Sequence, residues 1–203
     1  MVASISTFQA DPLHLDHLGK RLKVDNVLGQ VTRWSIDFET LSLERRLVIR
    51  KGQQFIGLVE DPPGSNDDPE GIIDGWLRDA GAREGDPWCA SAASAWLSVV
   101  KPVRIPGALN LIRHFPQVDS PWVGDVCGYP TNDKGNGHVF LVLGVDSVRR
   151  EIMTLEGNCN NECQVVRRPW TAGLLFGRTF NETRGTRPGV ISSVPLLIGG
   201  GTR

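Results

Sequence analysis

Between Gly137 and Phe180 four apolar or alternating runs, GHVFLVLGVDS, EIMTLEGN, QVVRRPW and LLFGRTF, follow one another with only short turn signals between them. Parallel neighbours need a crossover of about a dozen residues or more, and none intervenes, so these runs are expected to pair as an antiparallel sheet. Just upstream, PWVGDVCGYP adds a short strand after a Gly-Asp turn.

Helical periodicity lies earlier in the chain. In GIIDGWLRDAG the residues Ile72, Ile73, Trp76, Leu77 and Ala80 fall on one helical face and Gly81 supplies a stop. Asp68 or Asn66 is available to cap this helix, and Pro69 suits its first turn. A second helix is expected to start near Pro87, with Ala92, Ala93, Trp96, Leu97 and Val100 at helical spacings from Cys89, and Pro102 and Pro106 end it. Helices first and strands afterwards argue for an α+β domain with the helices on one face of the sheet.

Residues 1 to about 50 carry amphipathic stretches, LHLDHLGKRLKVDNVL and ETLSLERRLVI, but no nameable site chemistry. The expected organisation is therefore an N-terminal appendage of unknown role over 1–50, a catalytic domain over 51–183, and a Gly-, Ser- and Pro-rich tail over 184–203.

The net charge of −1 and the scattered Lys and Arg leave no basic stripe for a phosphate backbone, so nucleic acid is excluded as a partner. Apolar runs are broken by Gly, Pro or charge well short of a bilayer span, and the N-terminus lacks a basic start followed by an apolar run. The expectation is a monomer made in the cytoplasm without a signal peptide. Four cysteines, Cys89, Cys127, Cys159 and Cys163, are few for a disulfide scaffold and are expected to be reduced. The C-x3-C spacing of Cys159 and Cys163 has no matching second pair, so no metal site and no cofactor are expected.

Cys89 sits in the first turn of its helix, where backbone N–H groups and the positive end of the helix dipole favour a thiolate. His138, at the start of the strand GHVFLVLGV, is the candidate base; His14, His17 and His114 read as surface residues. EIMTLEGN offers two groups to orient the imidazole, Glu156 and Asn158, which at i and i+2 on a strand share a face. Trp88, beside the cysteine, is a candidate wall of the substrate cleft.

Together G-D-P-W-C-A-S at 85–91, G-D-V at 124–126, G-H-V at 137–139 and E-G-N at 156–158 resemble the CHAP and NlpC/P60 group of papain-like cysteine hydrolases of cell-wall peptides. The resemblance covers about residues 57 to 180 and includes the segment GLVEDPPGSNDDPEGIIDGWL, similar to phage endolysins of this group. It implies Cys89 as nucleophile, His138 as base, Glu156 as orienting group and Asn158 as a polar helper, acting on peptidoglycan without a metal. It also implies action at the wall after host lysis, as by an endolysin, or after delivery, as by an injected toxin; a non-catalytic wall-binding module is the contrasting reading. Two departures stand out. Cys-Ala-Ser-Ala-Ala replaces the bulkier residues that follow the cysteine in many relatives, implying tighter helix packing, and Cys127 occupies a position usually aliphatic.

Overall fold

The computed structural model describes residues 41–132 and 136–181. The amphipathic stretch of residues 13–28, His14, His17 and the tail over 184–203 lie outside them. Among the described residues four helices, α1 (Leu43–Gln53), α2 (Ile72–Ala80), α3 (Cys89–Leu97) and α4 (Ala108–Arg113), precede five strands, β1 (Val126–Pro130), β2 (Gly137–Asp146), β3 (Glu151–Cys159), β4 (Glu162–Pro169) and β5 (Leu175–Gly177). The strands form one sheet in the order β4-β3-β2-β1-β5, antiparallel at every pairing. The α+β class, the five strands and the helices on one face all follow the reading of the sequence.

The sheet is curled. Its two edge strands, β4 and β5, are joined by residues 170–174 alone, and a turn with Leu174 N–H donating to Thr171 O shortens that link further. A flat sheet of five strands is about 19 Å across at strand spacings near 4.8 Å, whereas the Trp170 and Phe176 rings lie 5.8 Å apart. The curl gives the sheet an inner and an outer face. Cys127, Phe140, Val142, Ile152 and Phe176 close together on the inner face. Val126, Val139, Leu141, Leu143 and Leu155, one residue out of phase, form the outer face and pack against the helices.

Each helix end has a local cause. Asp68 accepts hydrogen bonds from the N–H groups of Ile72 (3.1 Å) and Ile73 (2.5 Å), capping α2 from three residues before Gly71. Pro69 therefore precedes the helix rather than sitting in its first turn. Gly81 ends α2 with φ of 81°, the left-handed conformation glycine adopts without steric cost.

The boundary expected between residues 50 and 51 falls inside α1. Arg45, Val48, Ile49 and Gly52 line its inner side at i, i+3, i+4 and i+7, and all are buried. The helix therefore belongs to the domain core, and the pattern was obscured because its first inward residue is an arginine. That guanidinium bonds Asp125 Oδ1 (3.1 Å) and the carbonyl of Val123, and lies over the Phe180 ring. Asp125, the acid of the Gly-Asp turn, also accepts from Arg178 (2.8 Å) and the N–H of Trp122 (2.8 Å), so this motif is a buried strut.

α3 is buried on nearly all sides and lies against β2 and β3. Its small residues permit this: a Cβ on Gly157 would stand 2.8 Å from both the Ala92 Cβ and the Trp88 ring. Gly157→Ala is accordingly expected to cost about 1–3 kcal/mol in urea unfolding through overpacking. An unchanged midpoint would show that the helix can slide away freely.

Candidate active site

The first turn of α3 rests on Gly157, at the end of the sheet where β3 finishes and β2 begins. Cys89, the first residue of α3, is thereby delivered from the outer side to the sheet's end, and His138, the second residue of β2, meets it there. The thiol and the His138 ring line one cleft, and the sulfur is near enough to favour the charged form of the ring. The ring's Nε2 donates to Glu156 Oε2 at 2.8 Å, which leaves Nδ1 as the nitrogen for the sulfur. Register explains the second contact: Leu141 pairs with Leu155, so His138 and Glu156 are diagonal neighbours on the inner face.

Glu156 is wholly buried. Burial opposes its ionisation, but hydrogen bonds from Arg168, His138 and Thr154 outweigh that and hold the carboxyl down at about 2. Burial likewise disfavours a charged His138, yet its hydrogen bonds to Cys89 and Glu156 prevail and lift the ring to about 9. At neutral pH the arrangement thus holds a carboxylate against an imidazolium.

Asn158 departs from the shared-face expectation. The pairing of β3 with β4 is irregular between Glu156 and Cys159, and Asn158 has φ of 56°, which turns its side chain out of the strand alternation. In the orientation that satisfies both ends, its amide donates to Glu60 Oε1 (3.3 Å) and accepts from the backbone N–H of Trp88 (3.1 Å), beside the Asn66 amide. It therefore braces the residue before the cysteine, and its hydrogen bonds go to Glu60 and Trp88 rather than to His138.

Trp88 does not wall the cleft. It is completely buried, with its indole N–H donating to Glu60 Oε1 at 2.7 Å and its ring 5.9 Å from that of Trp76. Glu60 also accepts from the N–H groups of Gly64 (2.8 Å) and Asn66 (3.2 Å), tying the loop before α2 to the residue that precedes Cys89. In the sequence nothing sets Glu60 apart from the other acids of its turn-rich stretch.

An open cleft of about 730 Å³ exposes this corner, with Cys89 and His138 lining it beside Pro87, Tyr129, Asn158 and Gln164. Cys159 also lines it; burial and the Glu156 charge push its thiol up. Cys127 and Cys163 are buried in the two halves of the core, the latter pushed up to about 12 by burial. No disulfide links the four, all of which are free thiols. His114 is exposed at the end of α4.

His138, Glu156 and Cys159 present ligand atoms within 4.8 Å of one another. Glu156 makes a poor metal ligand, because Oε1 already accepts from Thr154 and Arg168 and Oε2 from Arg168 and His138, and the guanidinium adds a positive charge at the spot. In the sequence Arg168 is marked only as part of the alternating run QVVRRPW.

No family model and no curated protein matches the chain. Among solved structures, the peptidoglycan hydrolase RipB from Mycobacterium tuberculosis is similar at 17% identity, with a TM-score of 0.47 over 76% of this chain and 74% of that one. No helix among the described residues is long and apolar enough to cross a membrane.

Proposed function

We propose that this protein is a papain-like cysteine hydrolase that cuts a peptide or amide bond of peptidoglycan. The observation that carries this reading is that the Cys89 thiol and the His138 ring, itself hydrogen-bonded to the buried Glu156 carboxylate, line one open cleft. Chemistry at a carbonyl is the use such an arrangement serves best. The choice of peptidoglycan rests on the Cys, Gly-His and Glu-Gly-Asn segments, which resemble those of the CHAP and NlpC/P60 hydrolases.

In this mechanism Cys89 Sγ, as the thiolate beside the His138 imidazolium, adds to the carbonyl carbon. The developing oxyanion is met by the backbone N–H of Cys89 and by the positive end of α3. Collapse breaks the C–N bond as His138 Nδ1 gives its proton to the departing amine, leaving a thioester on Cys89. Water, deprotonated by the now neutral His138, releases the acyl group and returns the proton to the ring. Glu156 stays hydrogen-bonded at Nε2 and balances the charge of the ring whenever it is an imidazolium.

The test is mass spectrometry of sacculi digested by the protein, with Cys89→Ala as the control. New peptide or amide termini, absent with the variant, are the expected result and name the bond. Intact muropeptides after incubation with folded wild-type protein would refute the reading.

The geometry also ranks the two candidate partners of His138. Glu156→Gln is expected to lower turnover by about tenfold or more, because it removes the anion facing the imidazolium. The imidazolium is the proton donor, so activity falls as pH rises through about 9 in the wild type. In Glu156→Gln that alkaline limb moves down toward the ordinary histidine range near 6.5. Asn158→Ala leaves the limb in place and acts only by loosening the Trp88 backbone. A full-activity Glu156→Gln with an unchanged pH–rate profile would remove Glu156 from the mechanism.

A further inference from the structure

Arg168 is on the edge strand β4, two strands away from His138, yet its guanidinium grips the far side of the same carboxylate: Nε to Oε1 at 2.5 Å and Nη2 to Oε2 at 2.6 Å. The Thr154 hydroxyl donates to Oε1 at 2.5 Å. All four acceptor sites of the buried carboxylate are thereby filled, one of them by His138. The guanidinium is itself confined, lying 5.1 Å from the Phe140 ring centroid and 5.5 Å from that of Tyr129. A two-point fork fixes the plane of a carboxylate, which a single hydrogen bond leaves free to rotate.

We propose that Arg168 is a positioning residue: its fork, with the Thr154 hydroxyl, locks Glu156 in the one orientation that faces His138 Nε2 and so aims the ring at Cys89. This rests on the reading of Glu156 as the partner of His138. The titratable and charged groups around the pair are Cys89 from α3, Cys127 and Tyr129 from β1, Cys159 from β3 and Arg168 from β4.

Charge and aim make opposite predictions for the loss of Arg168. As a charge alone, the guanidinium offsets the carboxylate and weakens its hold on the His138 proton, so removing it tightens that hold. As a fork, it keeps the carboxylate in contact with the ring, and removing it loosens the hold. The positioning role is the second case, and lysine, a point charge without a fork, does not restore it.

The test follows the His138 imidazole resonance by NMR across pH in full-length protein carrying Cys89→Ala, which removes the thiol's own coupling. The resonance is assigned by its disappearance in His138→Ala. Glu156→Gln is expected to lower the His138 titration by about one pH unit or more, tenfold in proton affinity. Arg168→Gln and Arg168→Lys are each expected to produce at least half of that drop in protein whose amide spectrum remains folded. A drop with Glu156→Gln but an unchanged or raised titration in Arg168→Gln overturns the positioning role and leaves the Glu156 assignment standing. No response to Glu156→Gln overturns both. Should Arg168→Gln not fold, Thr154→Val removes one lock on the same carboxylate, and a lowered titration supports the role while an unchanged one counts against it.

Discussion

Cys89→Ala is expected to abolish turnover, by about ten-thousandfold or more, while leaving the urea midpoint nearly unchanged. The side chain is buried against the core, but alanine removes only its sulfur atom, so little packing is lost. The three other cysteines set the contrast. Cys127 and Cys163 are sealed in the core and Cys159 carries a thiol pushed toward its protonated form, so serine at any of them leaves catalysis in place. Cys127→Ser and Cys163→Ser are expected to cost about 1–3 kcal/mol of stability through a buried hydroxyl. A folded but inactive Cys127→Ser, Cys159→Ser or Cys163→Ser would defeat the assignment of the nucleophile. Activity is read on soluble peptidoglycan fragments, so that wall binding does not enter.

A chain beginning at residue 51 is expected not to fold. The cut removes Val48 and Ile49, both without solvent exposure, and burial of such side chains is worth about 1.5–3 kcal/mol each. It also removes Arg45 from Asp125, and breaking a buried ion pair from one side costs about 3–5 kcal/mol, somewhat softened here because Arg178 remains. The total of about 6–11 kcal/mol is comparable to the whole stability of a typical domain, about 5–15 kcal/mol. Circular dichroism and amide dispersion of residues 51–203 measure this directly, and Arg45→Ala in the full chain isolates the ion-pair contribution. A cooperative unfolding transition in the shortened protein would show that α1 is dispensable to the core.

Much of this architecture was legible because it depends on periodicity. Five strands and the helices over 72–80 and near 89–97 announce themselves through apolar spacing and turn residues, although the second ends at Leu97, before the Val100 and Pro102 expected to extend and stop it, and the placement of Cys89 in a first turn follows from the same pattern. The departures have particular causes. Strand alternation predicts a common face for Glu156 and Asn158, but a positive φ and an irregular register intervene, and neither is written in the apolar pattern. Trp88 stands next to the nucleophile in sequence, yet the residue before a helix start points wherever its cap geometry sends it, here into the core toward Glu60.

Arg168 was hidden for a different reason. Alternation puts Gln164, Val166 and Arg168 on one face of β4, but only the pairing of β4 with β3 reveals that this face also carries Glu156. Long-range register is decided by the whole sheet and is not local to any run. The same holds for Arg45, whose anion is 80 residues away.

The short link that draws β4 and β5 together leaves the problem of two strand edges, and other parts of the chain pair with the start of β4 and with β5. Along β4, Gly57 N–H donates to Cys163 O, Cys163 N–H to Leu58 O and Glu60 N–H to Asn161 O, with Val59 bridging Glu162. Along β5, Val118 N–H donates to Phe176 O and Arg178 N–H to Pro116 O, with Gln117 bridging Gly177. Open strand edges are templates on which further chains can add. Here the start of β4 and the edge of β5 are already engaged, which narrows the purchase for edge-to-edge association to the part of β4 beyond Cys163 when the protein accumulates at high concentration.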